Sequence, residues 1–277
     1  MNTDRKISIM GIVNLTDDSY FAESRCSDVE AALGRVACMV AEGADIIDIG
    51  ACSTRPGSAP VGEDEEWRRL EPVLRALRKR FPDVQVSIDT YFSSVVRKAY
   101  DILGRFIVND ISAGEADPAM LSTVGDLKLP YVAMHMRGNP RTMQSLTDYK
   151  DVVSEVLDYF RDFAEKADEN GISDWILDPG FGFAKTIEQN YNLLAGLVAL
   201  KSVIRSDGTP APLLVGISRK SMVYKYLNIT PEESLPATQA LHMVALQNGT
   251  DILRVHDVAE AIHTIKLYKA LATGPHS

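Results

Sequence analysis

Eight short apolar runs, spread along 277 residues and each ending near a polar or charged side chain, restrict this chain more than any other feature. They are "ISIMGIVN" (7–14), "DIIDIG" (45–50), "VQVSIDT" (84–90), "RFIVND" (105–110), "YVAMHM" (131–136), "DWILDP" (174–179), "PLLVGIS" (212–218) and "DILRVHD" (251–257). A strand with one wet face alternates apolar and polar residues. These runs are nearly continuous, as parallel strands covered on both faces require. The longer segments between them read as helices. Eight β-then-α units predict an α/β fold, a single (β/α)8 TIM barrel over residues 1–277, rather than an open sheet.

The intervening segments carry helix punctuation. Ser27 with Glu30, Thr186 with Gln189 and Asp257 with Glu260 have capping-box spacing. The stretch 62–81 opens on acids and closes on bases, matching the helix dipole. The stretch 148–171 ends at Gly171, a C-terminal stop. No polar linker or low-complexity segment divides the chain, so one domain is expected.

Composition excludes several classes. A formal charge of −9 argues against broad contact with nucleic acid or anionic membrane, so any anionic ligand must be held by local cations. Cys26, Cys38 and Cys52 form no CxxC and are odd in number, which fits a reducing compartment without disulfides or zinc. The apolar run before Asn14 is too short for a signal or spanning segment, and a cytoplasmic location is expected.

In a (β/α)8 barrel chemistry sits where strands end and loops begin. Those ends carry Asn14, Asp48, Asp89, Asn109 with Asp110, His135, Asp178, Ser218-Arg219-Lys220, and Arg254 with His256. Residues two apart on a strand share a face, so Arg254 and His256 stand roughly 7 Å apart. Such a pair needs an anion, either an acidic neighbour or an anionic ligand. Asp257 reads as a helix N-cap and His135 as a satisfied rim histidine; His242, His263 and His276 read as structural or solvated. Arg55, Lys220, Arg254 and His256 supply cationic or potentially cationic groups, while Asp89, Asn109 and Asp178 supply acceptors and an amide. That set suits a ligand with an anionic end and a flat donor-rich end. Two loops, 11–25 after the first strand and 50–66 after the second, are long and polar and are expected to be mobile lids. Neither matches a phosphate-binding or dinucleotide fingerprint.

"MGIVNLTDDSYF", "DIIDIGACSTRPG", "VSIDT", "IVNDIS", "MHMRG", "ILDPGFGF", "GISRK" and "RVHDV" occur in the order and spacing of dihydropteroate synthase. The resemblance covers nearly the whole chain. It implies condensation of 6-hydroxymethyl-7,8-dihydropterin diphosphate with 4-aminobenzoate, giving 7,8-dihydropteroate and diphosphate in folate biosynthesis. It implies pterin binding by Asp89, Asn109, Asp178 and Lys220, and diphosphate binding by Asn14, Arg254 and His256. Mg2+ would sit near Asn14. Thr54, Arg55, Pro56, Phe183, Ser218 and Lys220 would bind aminobenzoate, with dipole support from the helix after "SRK", and Asp89, Lys220, Arg254 and His256 would carry catalysis. A homodimer is expected on the same ground.

The chain departs from the commoner family pattern at Asp17, usually Pro, Tyr20, usually Phe, and Cys52, usually Glu. Cys52 is not expected to act as a nucleophile. An aromatic amine is already neutral near pH 7, so the expected mechanism is dissociative, with charge on the leaving diphosphate as its main demand. The alternatives are a methyltetrahydrofolate–corrinoid methyltransferase, which would need no diphosphate clamp, and a catalytically silent pterin-binding paralogue.

Overall fold

The computed structural model describes residues 5–15, 25–52, 61–139 and 141–273. All eight expected strands are present: β1 Ser8–Asn14, β2 Ile46–Gly50, β3 Gln85–Asp89, β4 Ile107–Asp110, β5 Tyr131–Met134, β6 Trp175–Asp178, β7 Leu214–Val215 and β8 Ile252–Val255. Every pairing is parallel, in the order β6-β5-β4-β3-β2-β1-β8-β7. A parallel bridge between Leu177 and Leu213 joins the two ends and closes the barrel. That seam is thin. Leu177 N donates to Pro212 O at 3.0 Å, but Pro212 has no N–H to return, and β7 is shorter than the run 212–218 suggests.

The described helices are α1 Arg25–Glu42, α2 Glu63–Arg80, α3 Ser93–Leu103, α4 Met120–Leu127, α5 Val152–Glu169, α6 Ile187–Ala195, α7 Ser221–Leu227, α8 Leu235–Gln247 and α9 Val258–Thr273. Their ends follow the expected chemistry in most cases. α2 has Glu63, Asp64, Glu65 and Glu66 in its first turn and Arg78, Lys79 and Arg80 in its last. Asp151 caps α5, accepting from Ser154 N at 2.8 Å, and Gly171 takes φ 70 just beyond its end. Thr186 and Gln189 form a reciprocal capping box on α6. Two expected boxes differ. Ser27 lies within the first turn of α1 rather than before it. Asp257 does precede α9, but its carboxylate receives Arg219 Nε at 3.1 Å and Nη2 at 2.5 Å.

Between barrel and helices, Trp175 and Tyr131 pack on Phe163 of α5, with ring centroids 5.3 and 5.8 Å from it. Each such buried ring contributes about 1.5–3 kcal/mol. Inside the barrel Met10, Ile46, Ile107, Val132, Ile176, Leu214 and Ile252 form one apolar plug. Side chains two residues on share that inward face, one layer nearer the strand C-termini. There the character changes: Ile46 leads to Asp48, Ile107 to Asn109, Ile176 to Asp178, and Ile252 to Arg254 and then His256. The plug is a floor, and the polar layer rests on it. Among the described residues no helix is long and apolar enough to cross a membrane.

Candidate active site

The register sets the rim. Asn14 pairs with Gly50, Gly50 with Asp89, and Asp89 with Asn109, so three polar strand ends stand in sequence around the mouth. Arg254 pairs in register with Met10 and extends its guanidinium across the barrel. Its Nε donates to Asp48 Oδ2 at 2.7 Å, and its Nη2 lies 2.6 Å from Asp48 Oδ2 and 2.9 Å from Asp89 Oδ2. Asn109 Nδ2 donates to the same Asp48 oxygen at 3.1 Å. Of the two anions the sequence allows for Arg254, the acidic neighbours hold it in this structure. Asp48 is fully buried, and its Oδ1 has no partner among the described residues.

Two carboxylates sharing one guanidinium cannot both be fully neutralised. Burial pushes Asp89 up to about 7; Arg254 opposes that rise, and Asp48, Glu66 and Asp110 add to it. Arg254 is itself held above its usual range, because Asp48 and Asp89 outweigh the burial that would lower it.

Across the mouth, Asp178 is buried at the end of β6, and its Oδ1 accepts from Gly180 N at 2.8 Å. Burial raises its pKa, while Lys220, the Gly180 N–H, Arg254 and Lys185 hold it down. Lys220 Nζ donates to Phe181 O at 2.6 Å and lies 4.9 Å from the Phe183 ring centroid. Burial lowers Lys220 to about 8, with Asp178 opposing.

His256 is tied to Ser218. Its backbone N donates to Ser218 Oγ at 3.3 Å, and its Nδ1 lies 3.1 Å from the same oxygen. Burial, Arg254 and Arg219 lower His256 to about 4, so the ring is neutral near pH 7 in this state. Of the two potentially positive groups on β8 and just after it, Arg254 alone carries its charge near pH 7. Ser218, expected at the aminobenzoate carboxylate, orients His256 here. α7, the helix after "SRK", has seven residues.

Asn14 ends β1 and is exposed at the rim. Thr54, Arg55 and Pro56, with Asp17 and Tyr20, lie outside the described residues, as do most of the expected mobile loops. Cys52 donates from Sγ to Glu66 Oε2 at 2.8 Å, and burial with the Glu66 charge pushes its thiol far up, leaving it a poor nucleophile. Among the described residues no group of three His, Cys, Asp or Glu side chains could hold a metal ion. Asn14, exposed at the end of β1, offers one amide oxygen at the rim, an oxygen donor of the kind a hard cation such as Mg2+ takes.

Sequence reasoning gave Asp48 no role, although its place two residues after Ile46 puts it in the polar layer. It also passed over Lys185, whose burial no pattern announces. His135 is satisfied as expected: its Nδ1 lies 3.0 Å from Lys185 Nζ.

The pterin binding enzyme family matches residues 10–256. Dihydropteroate synthase of Escherichia coli (strain K12) is 39% identical over 264 residues, covering 95% of this chain and 90% of the relative. The structure of Xanthomonas albilineans dihydropteroate synthase with 4-aminobenzoic acid has a TM-score of 0.87 at 36% identity, covering 99% of this chain and 96% of that one. The Burkholderia cenocepacia enzyme complexed with 7,8-dihydropteroate has a TM-score of 0.85 at 39% identity, covering 98% and 92%. This chain belongs to the pterin-binding enzymes and, among them, to the dihydropteroate synthases.

Proposed function

We propose that the mouth of this barrel performs the family's transfer by dissociative substitution, joining 6-hydroxymethyl-7,8-dihydropterin diphosphate to 4-aminobenzoate. The activity is that of a transferase of folate biosynthesis; the division of labour among residues is our reading. The observation that carries it is the polar layer on the apolar plug, with a buried carboxylate at Asp178 and an amide at Asn109 facing a cation at Arg254. A pterin edge offers a ring N–H beside an exocyclic amine, two donors for Asp178. Asn109 and Lys220 then meet its remaining acceptors and donors.

Arg254 and His256 take the diphosphate at the rim with Asn14. Mg2+ bound to that diphosphate would neutralise charge on the leaving group. An anion beside His256 favours its protonated form, adding a second cation where the leaving charge grows. As Arg254 turns toward diphosphate, Asp89 loses its share of the guanidinium and is left to face positive charge developing in the pterin. The amine of 4-aminobenzoate then attacks the exocyclic methylene carbon, and its extra proton passes to water or diphosphate. Phe183 and Lys220 wall the aminobenzoate site, with Ser218 nearby; Thr54, Arg55 and Pro56 complete it in this proposal.

The test is incubation with pterin diphosphate and 4-aminobenzoate, with and without Mg2+, measuring dihydropteroate and diphosphate. Release of diphosphate without dihydropteroate, or no reaction at all, would reject the reading. A cytoplasmic homodimer belongs to the same proposal. Tyr226 of α7 and Leu267 and Leu271 of α9, each more than 60% exposed, support a self-association surface. A monomeric mass in sedimentation at assay concentration would remove the dimer.

A further inference from the structure

Lys185 is 4% exposed, yet it lies outside every role described above. Burial lowers Lys185 to about 7, with Asp178 opposing, and in its charged form its three N–H groups face three acceptors: His135 Nδ1 at 3.0 Å, Gly180 O at 3.1 Å and Phe183 O at 3.1 Å. Two of these belong to the segment between β6 and α6, and the third follows β5. That segment needs holding. Gly180, Gly182 and Ala184 all have positive φ, at 69°, 82° and 49°, and Ala184 has a Cβ that disfavours such a backbone. Only glycine fits at 180: a Cβ there would lie 2.0 Å from His135 O. Lys220 reaches the same segment from the barrel side through Phe181 O at 2.6 Å. Two lysines therefore grip three carbonyls of one short turn, and the turn carries Phe183.

We propose that Lys185 and His135 form a positioning pair, buried behind the site, that fixes the 180–184 turn so that Phe183 stands as a wall for 4-aminobenzoate. The pair does not touch substrate; it acts through the carbonyls of Gly180 and Phe183. Asp178 depends on it less, because β6 pairing holds its backbone separately, although its carboxylate shares the Gly180 N–H and feels the Lys185 charge. The imidazole is part of the device. With Nδ1 accepting from the ammonium, His135 is neutral and carries its proton on Nε2. Burial and the nearby Lys185 and Arg137 charges keep it neutral, lowering it to about 2. Its ring packs edge-on against Tyr159 at 4.9 Å, which sets the direction in which Nδ1 points.

This inference rests on the synthase reading, and its test separates the two. Wild-type enzyme must make dihydropteroate; failure there rejects the reaction, not the pair. With activity established, Lys185→Met keeps the stem and removes the donors. The expected result is a KM for 4-aminobenzoate raised at least fivefold, with the Kd for pterin diphosphate raised by a clearly smaller factor through the lost charge near Asp178. His135→Phe keeps a ring against Tyr159 but offers no acceptor, and should shift the same KM in the same direction by less. His135→Asn places a side-chain oxygen near the Nδ1 position, so it should recover the KM while the melting temperature still falls with the lost ring. Should Lys185→Met not fold, the two His135 variants decide. Equal weakening of both substrates, an unchanged aminobenzoate KM, or His135→Asn behaving like His135→Phe would each overturn the proposal.

Discussion

The two sides of the barrel mouth hold their charges in different ways. On the β2–β3–β8 side, Asp48 and Asp89 share Arg254 side chain to side chain, with Asp48 Oδ1 left without a partner among the described residues. On the β6–β7 side, Asp178 is held by a backbone N–H, and Lys220 and Lys185 by backbone carbonyls. A side-chain partner can be exchanged when a ligand arrives, whereas a turn carbonyl cannot leave without moving the chain. The first side is therefore suited to exchange partners with diphosphate, and the second to present a ready-made edge to the pterin. The proposed chemistry needs one of each.

The sharpest way to break this comparison is Arg254→Ala. It leaves Asp48 and Asp89 buried without their cation, and removing one partner of a buried pair costs about 3–5 kcal/mol. Urea titration near pH 7.5 should show a loss of this size, together with much weaker binding of pterin diphosphate than of the unphosphorylated pterin. Unchanged stability would mean that the two acids do not depend on Arg254.

Asp178→Asn tests the other side. It replaces one acceptor by an NH2 facing a donor edge, and pterin affinity should fall at least tenfold, about 1.4 kcal/mol. The fold should hold, because Asn can still accept from Gly180 N. Wild-type affinity in calorimetry would reduce Asp178 to a strand-end cap.

Asp89→Asn sharpens the comparison through pH. Asp89 has a raised pKa of about 7 in the fold and an ordinary one near 4 in the unfolded chain. Below about pH 4 both states hold the proton, and Asp89 contributes no penalty. Between about 4 and 7 the unfolded chain releases it first, so wild-type stability falls as pH rises, and above 7 the deficit stays constant. The Asn variant lacks this term. The rise to about 7 corresponds to about 4 kcal/mol, so the variant should be more stable than wild type by up to that amount at pH 8, equal to it near pH 4, and nearly inactive throughout. A gain independent of pH would assign the effect to packing instead.

How much of this was legible beforehand follows the same division. The strands could be read because parallel strands covered on both faces are continuous apolar runs, and the polar layer because residues two apart share a face. The capping box at Thr186 and Gln189 is local and was visible. Arg254's partners were not: Asp48 lies 206 positions away, and only barrel closure brings it near. His135 could be recognised as satisfied, but not by whom, since Lys185 resembles any helix-proximal lysine until the turn is folded around it. β7 was overread because its apolar run begins at Pro212, which cannot complete the ladder, and runs on through 216–218 beyond the two residues that pair with β8. The resemblance assigned Arg254 a ligand; it carried no information about what holds the guanidinium before that ligand binds.

The smallest expected effect concerns the order of binding. In the proposed reaction the pterin side is prebuilt, so pterin diphosphate would dock on Asp178, Asn109 and Lys220 before anything rearranges. Its diphosphate would then draw Arg254 from Asp89 and favour the charged form of His256. His256 shares Ser218 with the aminobenzoate site, so a change at the histidine is felt one hydrogen bond away at Ser218 Oγ. Aminobenzoate should therefore bind a few-fold more tightly to enzyme already holding a pterin, diphosphate and Mg2+, a coupling of about 1 kcal/mol or less. Linkage requires the converse as well: aminobenzoate must tighten the diphosphate complex by the same factor. Calorimetric titration in both orders checks the two together. Tight aminobenzoate binding to the empty enzyme, unchanged by the other ligands, would mean that the exchangeable side and the prebuilt side do not communicate, and that Ser218 holds His256 without relaying its charge.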